Sequence, residues 1–150
     1  LVIDDDGAGE MADVVAISAD DEELHITLAH CKYSSSDTPG ARVADLYELC
    51  GQAQKSARWR RSTDYMFRQL IRRERKRSQQ GRSGLIRGDI TALYGLQEKA
   101  RMLRPRFTIA IAQPGLSKAG VSAAQLELLA SSEVYLYETA LATFSVYANT

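Results

Sequence analysis

Residues 10–19 and 24–32 both carry strand chemistry, and the acidic string Asp20-Asp21-Glu22-Glu23 separates them. Two such runs around a short polar loop read as a β-hairpin. Closing the hairpin on the acidic string sets Ala19 opposite Leu24, Ile17 opposite Ile26 and Val15 opposite Leu28. Side chains alternate along a strand, so all three pairs share one face. A slip of one residue would turn that apolar set to the wrong side, which fixes the register. The next pair on the same face is Asp13 opposite His30, with Lys32 one step beyond. Directly opposed residues hold their Cβ atoms about 4.5–5.5 Å apart. A carboxylate, an imidazole and an ammonium therefore converge at the end of an apolar sheet face.

The chain has 150 residues, enough for one core and too few for two, so residues 1–150 are expected to form a single domain. Apolar residues make up 45% and charged residues 25%, ordinary values for a globular protein. No apolar run approaches the roughly 20 residues that span a bilayer, and no secretory leader is visible. Cys31 and Cys50 read as thiols of a reduced chain, which points to the cytoplasm. With only His25 and His30 beside them, a zinc site lacks its usual ligands. Leu1-Val2-Ile3 already reads as a strand, so the domain is expected to belong to a longer protein with an element ahead of it.

The formal charge is zero but strongly segregated. Residues 1–54 hold twelve acids and two bases, a net of −10, whereas residues 55–87 hold two acids and twelve bases, a net of +10. An acidic lobe beside a basic one suggests cation chemistry next to a polyanion-binding surface.

Beyond the hairpin, residues 34–40 are turn formers placed where a loop contacting substrate is expected. Apolar positions 43, 46, 47, 50, 53 and 57 have helical spacing, with Gln54 beside that stripe. Ser62 or Thr63 can start a second helix on Met66, Phe67, Leu70 and Ile71, and its Arg72–Arg77 half holds too few apolar residues to be buried. Phosphate contact is the expectation for Arg58, Arg60, Arg61, Arg68, Arg72, Arg73, Arg75, Lys76 and Arg77. Asp89 can cap a third helix, so residues 60–104 form a basic helical insertion. A strand over residues 106–112 is expected to stop at Gln113-Pro114-Gly115. Ser122 and Gln125 make a capping box for the next helix, and a last strand covers residues 142–148. Strand, helix, strand implies a parallel crossover. The fold class is α/β: a mixed central sheet of a three-strand meander, a helix and further strands, flanked by helices. No G-x-G-x-x-G opens a helix after a strand, which weighs against a nucleotide-sensing domain.

This order resembles the PD-(D/E)XK, or restriction-endonuclease-like, nucleases, and is most similar to their Mrr-type branch. Residues 1–58 and 106–112 cover that family's core except its first helix. Ala12-Asp13 before the strand Val14–Ile17 resembles its Pro-Asp, and His30-Cys31-Lys32 resembles its (Asp/Glu/Gln)-x-Lys. The stretches 9–13 and 51–55 also resemble nuclease-like domains of bacterial helicase and phage-defence proteins. The resemblance implies phosphodiester hydrolysis of DNA, with RNA left open, in company with a helicase or ATPase module; a homo-oligomer is also left open. It implies Mg²⁺ or Mn²⁺ on Asp13 and the Cys31 backbone carbonyl, and Lys32 positioning the attacking water. Gln54 would match a glutamine on the following helix. His30 departs from the pattern, because imidazole is a poor ligand for Mg²⁺. Either His30 takes a softer metal or orients water, or Glu10 or Asp5 supplies the second carboxylate. The alternative is a degraded nuclease-fold module that binds nucleic acid or a partner protein.

Overall fold

The computed structural model describes residues 1–7, 9–33 and 42–149; the expected substrate loop at residues 34–40 lies outside them. Strands β1 (Val2–Asp4), β2 (Val14–Ala19) and β3 (Glu23–Cys31) form an antiparallel meander. The hairpin register is the one its apolar alternation demands: Val15 pairs with Leu28, Ile17 with Ile26 and Ala19 with Leu24. Its turn is organised by Asp20, whose carboxylate accepts the N–H groups of Glu22 at 2.9 Å and Glu23 at 2.7 Å. The His25 imidazole reaches the same carboxylate at 2.9 Å, and this contact first, then those N–H groups, holds Asp20 down to about 2.

Helix α1 (Val43–Ser56) follows, then a 3₁₀ turn (Ala57–Arg61) and helix α2 (Thr63–Gln79). Strand β4 (Leu85–Arg87) adds antiparallel to the outer edge of β1. After helix α3 (Ile90–Lys99), strand β5 (Arg104–Ser117) lies parallel to β3. Helix α4 (Ala123–Ala140) carries the expected capping box and leads to β6 (Thr143–Asn149), parallel to β5. The mixed sheet therefore runs β4-β1-β2-β3-β5-β6.

One sheet face carries Val15, Ile17, Leu24, Ile26, Leu28, Phe107, Ile109 and Ile111, all buried against Leu46, Leu49, Met66, Phe67 and Leu70 of the helices. Each such side chain contributes about 1.5–3 kcal/mol by leaving water. The alternate positions Thr27, Ala29, Thr108 and Ala112 are half-buried, and Ser18, His25 and Cys31 are exposed. No helix of the described residues is long and apolar enough to cross a membrane.

Three boundaries differ from the sequence reading. Tyr47 is 69% exposed and Leu49 takes its place on the buried face of α1, so the stripe is rotated by part of a turn. Strand β5 continues through Pro114 because its pairing with β3 has ended at Ala112 and its register with β6 shifts between Ala112 and Ser117. A proline there costs no ladder hydrogen bond. The 60–104 span holds α2 and α3 and also β4, a strand too short to announce itself by alternation.

Candidate functional site

The end of the sheet where Asp13 enters β2 gathers three carboxylates. Oxygens of Asp6, Glu10 and Asp13 lie within 4.8 Å of one another. Asp13 is held from both sides: its carbonyl accepts the Asp5 N–H at 2.9 Å, and its carboxylate accepts the Cys31 N–H at 2.7 Å. Glu10 closes a tight turn, accepting the Gly7 N–H at 2.7 Å. Burial raises the Glu10 carboxyl above its usual 4.5; Asp13 and Asp6 add to the rise, while the Gly7 N–H opposes it. Like charges this close favour either a shared proton or a bound cation.

His30 is 4% exposed on the apolar face of β3. Its Nε2 meets the Ser56 hydroxyl of α1 at 2.8 Å, and its Nδ1 is buried with no hydrogen-bond partner. The Ser56 hydroxyl also approaches the carbonyls of Met11 and Gln52 at 3.4 Å each. When it donates there, Nε2 carries the imidazole proton and Nδ1 presents a lone pair. Burial pushes the imidazole below its usual 6.5, and the Asp13 charge opposes that shift. The Lys32 ammonium is paired with Glu48 of α1. What Cys31 is seen to contribute is its N–H to Asp13.

Two expected members are placed elsewhere. Asp5 is 1% exposed and is a clamp rather than part of the carboxylate group. It accepts from the Met11 N–H at 3.0 Å and from Arg73 Nε at 2.5 Å, and Arg73 Nη2 donates to its carbonyl at 2.7 Å. Alternation along β1 puts Asp5 on the side of the buried Ile3, where a charge needs a partner. Gln54 donates to Ser132 of α4 at 3.2 Å, so it belongs to the α1–α4 contact. Asp6 was not anticipated; the parity that buries Asp5 was the available signal.

The arginines divide in the same way. Arg73 and Arg77 turn inward, Arg77 donating to the carbonyls of Asp4 at 2.7 Å and Asp6 at 3.1 Å. Glu74 is buried between them and accepts from Ser83 Oγ at 2.5 Å and from the Gly84 N–H at 2.9 Å. This half of α2 is therefore bonded to the chain at the end of β1 and just before β4, contrary to the expectation of an unburied run whose Arg73 and Arg77 contact phosphate. Arg68, Arg72, Arg75 and Lys76 face outward along a groove of about 690 Å³ closed by Tyr94 and Gln97 of α3. Arg58 and Arg61 are exposed, and Arg60 is half-buried.

No protein-family model, curated protein or solved structure matches the chain. The geometry itself defines the chemistry on offer. Three carboxylates form a hard-oxygen donor set of the kind that suits Mg²⁺ or Mn²⁺. An unpartnered imidazole nitrogen is buried near Asp13, and outward-facing arginines line the neighbouring helix.

Proposed function

We propose that this domain is a metal-dependent nuclease that hydrolyses phosphodiester bonds of DNA, with a restriction-endonuclease-like fold. It would act as the effector part of a larger helicase or phage-defence protein. The observation that carries the reading is the convergence of Asp6, Glu10 and Asp13 within 4.8 Å at the hairpin mouth, beside helices whose segment bears a net +10. The meander, helix and parallel strand fit the core that the resemblance implies.

Asp6, Glu10 and Asp13 would hold the cation, which supplies Lewis-acid polarisation of the phosphate and a lowered pKa for water. Asp13 is oriented for this by the Cys31 N–H. Lys32 lies on the same strand end and would exchange Glu48 for a phosphate oxygen, giving it charge balance. His30, kept neutral by burial, would accept a hydrogen bond through Nδ1 and so help to orient water. The outward arginines of α2 would track the polyanion backbone.

A second reading, a non-catalytic binding module, is favoured by the Lys32–Glu48 pair and by an imidazole at position 30. The full-length protein is incubated with plasmid and with single-stranded DNA in Mg²⁺ or Mn²⁺, beside Asp13→Ala and Lys32→Ala. Cleavage is expected, falling by about a hundredfold or more in Asp13→Ala. Absence of cleavage, or cleavage indifferent to both substitutions, refutes the nuclease reading. Salt-dependent binding that survives both, yet is lost when Arg72, Arg75 and Lys76 are neutralised, supports the module instead.

A further inference from the structure

A second feature shares a chain segment with the carboxylates. The 3₁₀ turn and the first turn of α2 stack Trp59 on Tyr65, with ring centroids 6.1 Å apart and planes at 24°. The guanidinium of Arg58 lies 4.5 Å from the Trp59 ring centre, and that of Arg68 lies 5.9 Å from the Tyr65 ring centre. Trp59 is 6% exposed and anchors the stack, whereas Tyr65 is 48% exposed. Together with Gly9, Met11, Ser62 and Gln69, Arg58 and the two rings line a cleft of about 310 Å³. Gly9 and Met11 flank Glu10 in the chain, so the cleft wall and the carboxylate group share a segment.

We infer that this cleft seats an unpaired base of a single-stranded polynucleotide, stacked on Tyr65 while its phosphates meet the arginines. The inference rests on the nucleic-acid reading above and adds the class of substrate. Every base offers a π-face to an aromatic ring, and arginine adds a cation–π contribution. In a duplex those faces are covered by neighbouring bases, so only a base outside the stack can enter. The charge supports a polyanion as occupant: residues 55–87 hold twelve bases and two acids. Arg58 lies in the cleft wall itself, and Arg68, which pairs with Asp64 at 3.1 Å, stands over the Tyr65 ring.

The test is equilibrium binding in EDTA, so that cleavage plays no part. A short labelled oligodeoxynucleotide is titrated with the full chain as a single strand and as a blunt duplex. Trp59 is the chain's only tryptophan, and its fluorescence is read in parallel. The single strand is expected to bind more tightly than the duplex and to quench Trp59. Tyr65→Ala should weaken single-strand binding by about 5- to 150-fold and change duplex binding by less than about twofold, while Tyr65→Phe retains the wild-type affinity. Single-strand binding that ignores Tyr65→Ala, an equal loss for both forms, or no quenching of Trp59 in the wild-type protein overturns the inference. If Tyr65→Ala does not fold, Trp59 quenching by the single strand but not by the duplex carries the test, and equal quenching by both overturns the inference. A domain that binds in this way yet never cleaves loses the nuclease reading alone; one that cleaves yet ignores Tyr65 loses only the base cleft.

Discussion

Arg72 and Arg73 are neighbours in sequence with opposite consequences expected on substitution. Arg73 supplies the counter-ion and two charge-assisted hydrogen bonds to Asp5, one to the carboxylate at 2.5 Å and one to the carbonyl at 2.7 Å. Asp5 is 1% exposed and the Arg73 side chain 18% exposed. Arg73→Ala leaves a buried carboxylate with the Met11 N–H and a guanidinium of Arg77 at 3.7 Å. Removing one partner of a buried pair costs about 3–5 kcal/mol. An overlapping range of about 2.5–4 kcal/mol comes from one hydrogen bond to a charged group at about 1.5–3 kcal/mol plus an ordinary one at about 1 kcal/mol. Against a total stability of about 5–15 kcal/mol this is severe but survivable. With a urea m-value of about 2 kcal/mol/M, the midpoint should fall by roughly 1.5–2.5 M. Arg72 is exposed along the basic groove, so Arg72→Ala should shift stability by less than about 0.5 kcal/mol. Its effect should appear in binding instead, as a salt slope shallower by about 0.9. Equal stability losses, or an Arg73→Ala that lowers the salt slope as Arg72→Ala does while still folded, would refute the division of these arginines into clamp and surface.

Two further expectations concern pH. Because burial raises the Glu10 carboxyl above 4.5 in the fold, a cation bound there competes with a proton; Mn²⁺ affinity should weaken as pH falls, and calorimetry in buffers of different ionisation enthalpy should find a proton release that Glu10→Gln abolishes. His30 titrates below 6.5 in the fold, so below that pH the unfolded chain takes up the proton first and stability drops as pH falls. The urea midpoint of His30→Gln should therefore change less than that of the wild type between about pH 7.5 and 5.5, and equal changes would show that His30 is not the buried neutral group.

Legibility from sequence followed the strength of the local signal. The hairpin register was readable because three apolar pairs and an acidic turn each specify it, and slipping it would expose Val15, Ile17 and Leu28 together. The α1 stripe was less so: Tyr47 and Leu49 are both apolar enough to define a face, and only the sheet decides that Leu49 is the buried one. The arginine run was the hardest part, since a string of like residues carries no phase of its own. The phase is set by what α2 bonds to, and the chain leaving β1 holds an acid at a core-facing position, Asp5. Reading Ile3 and Asp5 as one face would have required a buried cation from elsewhere, and would have left Asp6 free for the cluster.

That same requirement accounts for the imidazole at position 30. The position continues the buried face of Ile26 and Leu28 and feels the charge of Asp13. A carboxylate there would be desolvated beside three others, and would draw the Ser56 hydroxyl away from the carbonyls of Met11 and Gln52. A neutral imidazole avoids that charge and keeps α1 docked through Ser56. The acidic groups then have to come from the turn between β1 and β2, which the Asp5 N–H closes onto the Asp13 carbonyl. The Asp5–Arg73 and Arg77 contacts, together with the Met11 N–H, hold it as well. On the proposed reading, the cation site lies at the turn beside the end of the sheet, with Asp13 shared between turn and strand. The inward arginines of α2 are then the condition for three carboxylates to stay within 4.8 Å of one another, while the outward ones remain available to the polyanion.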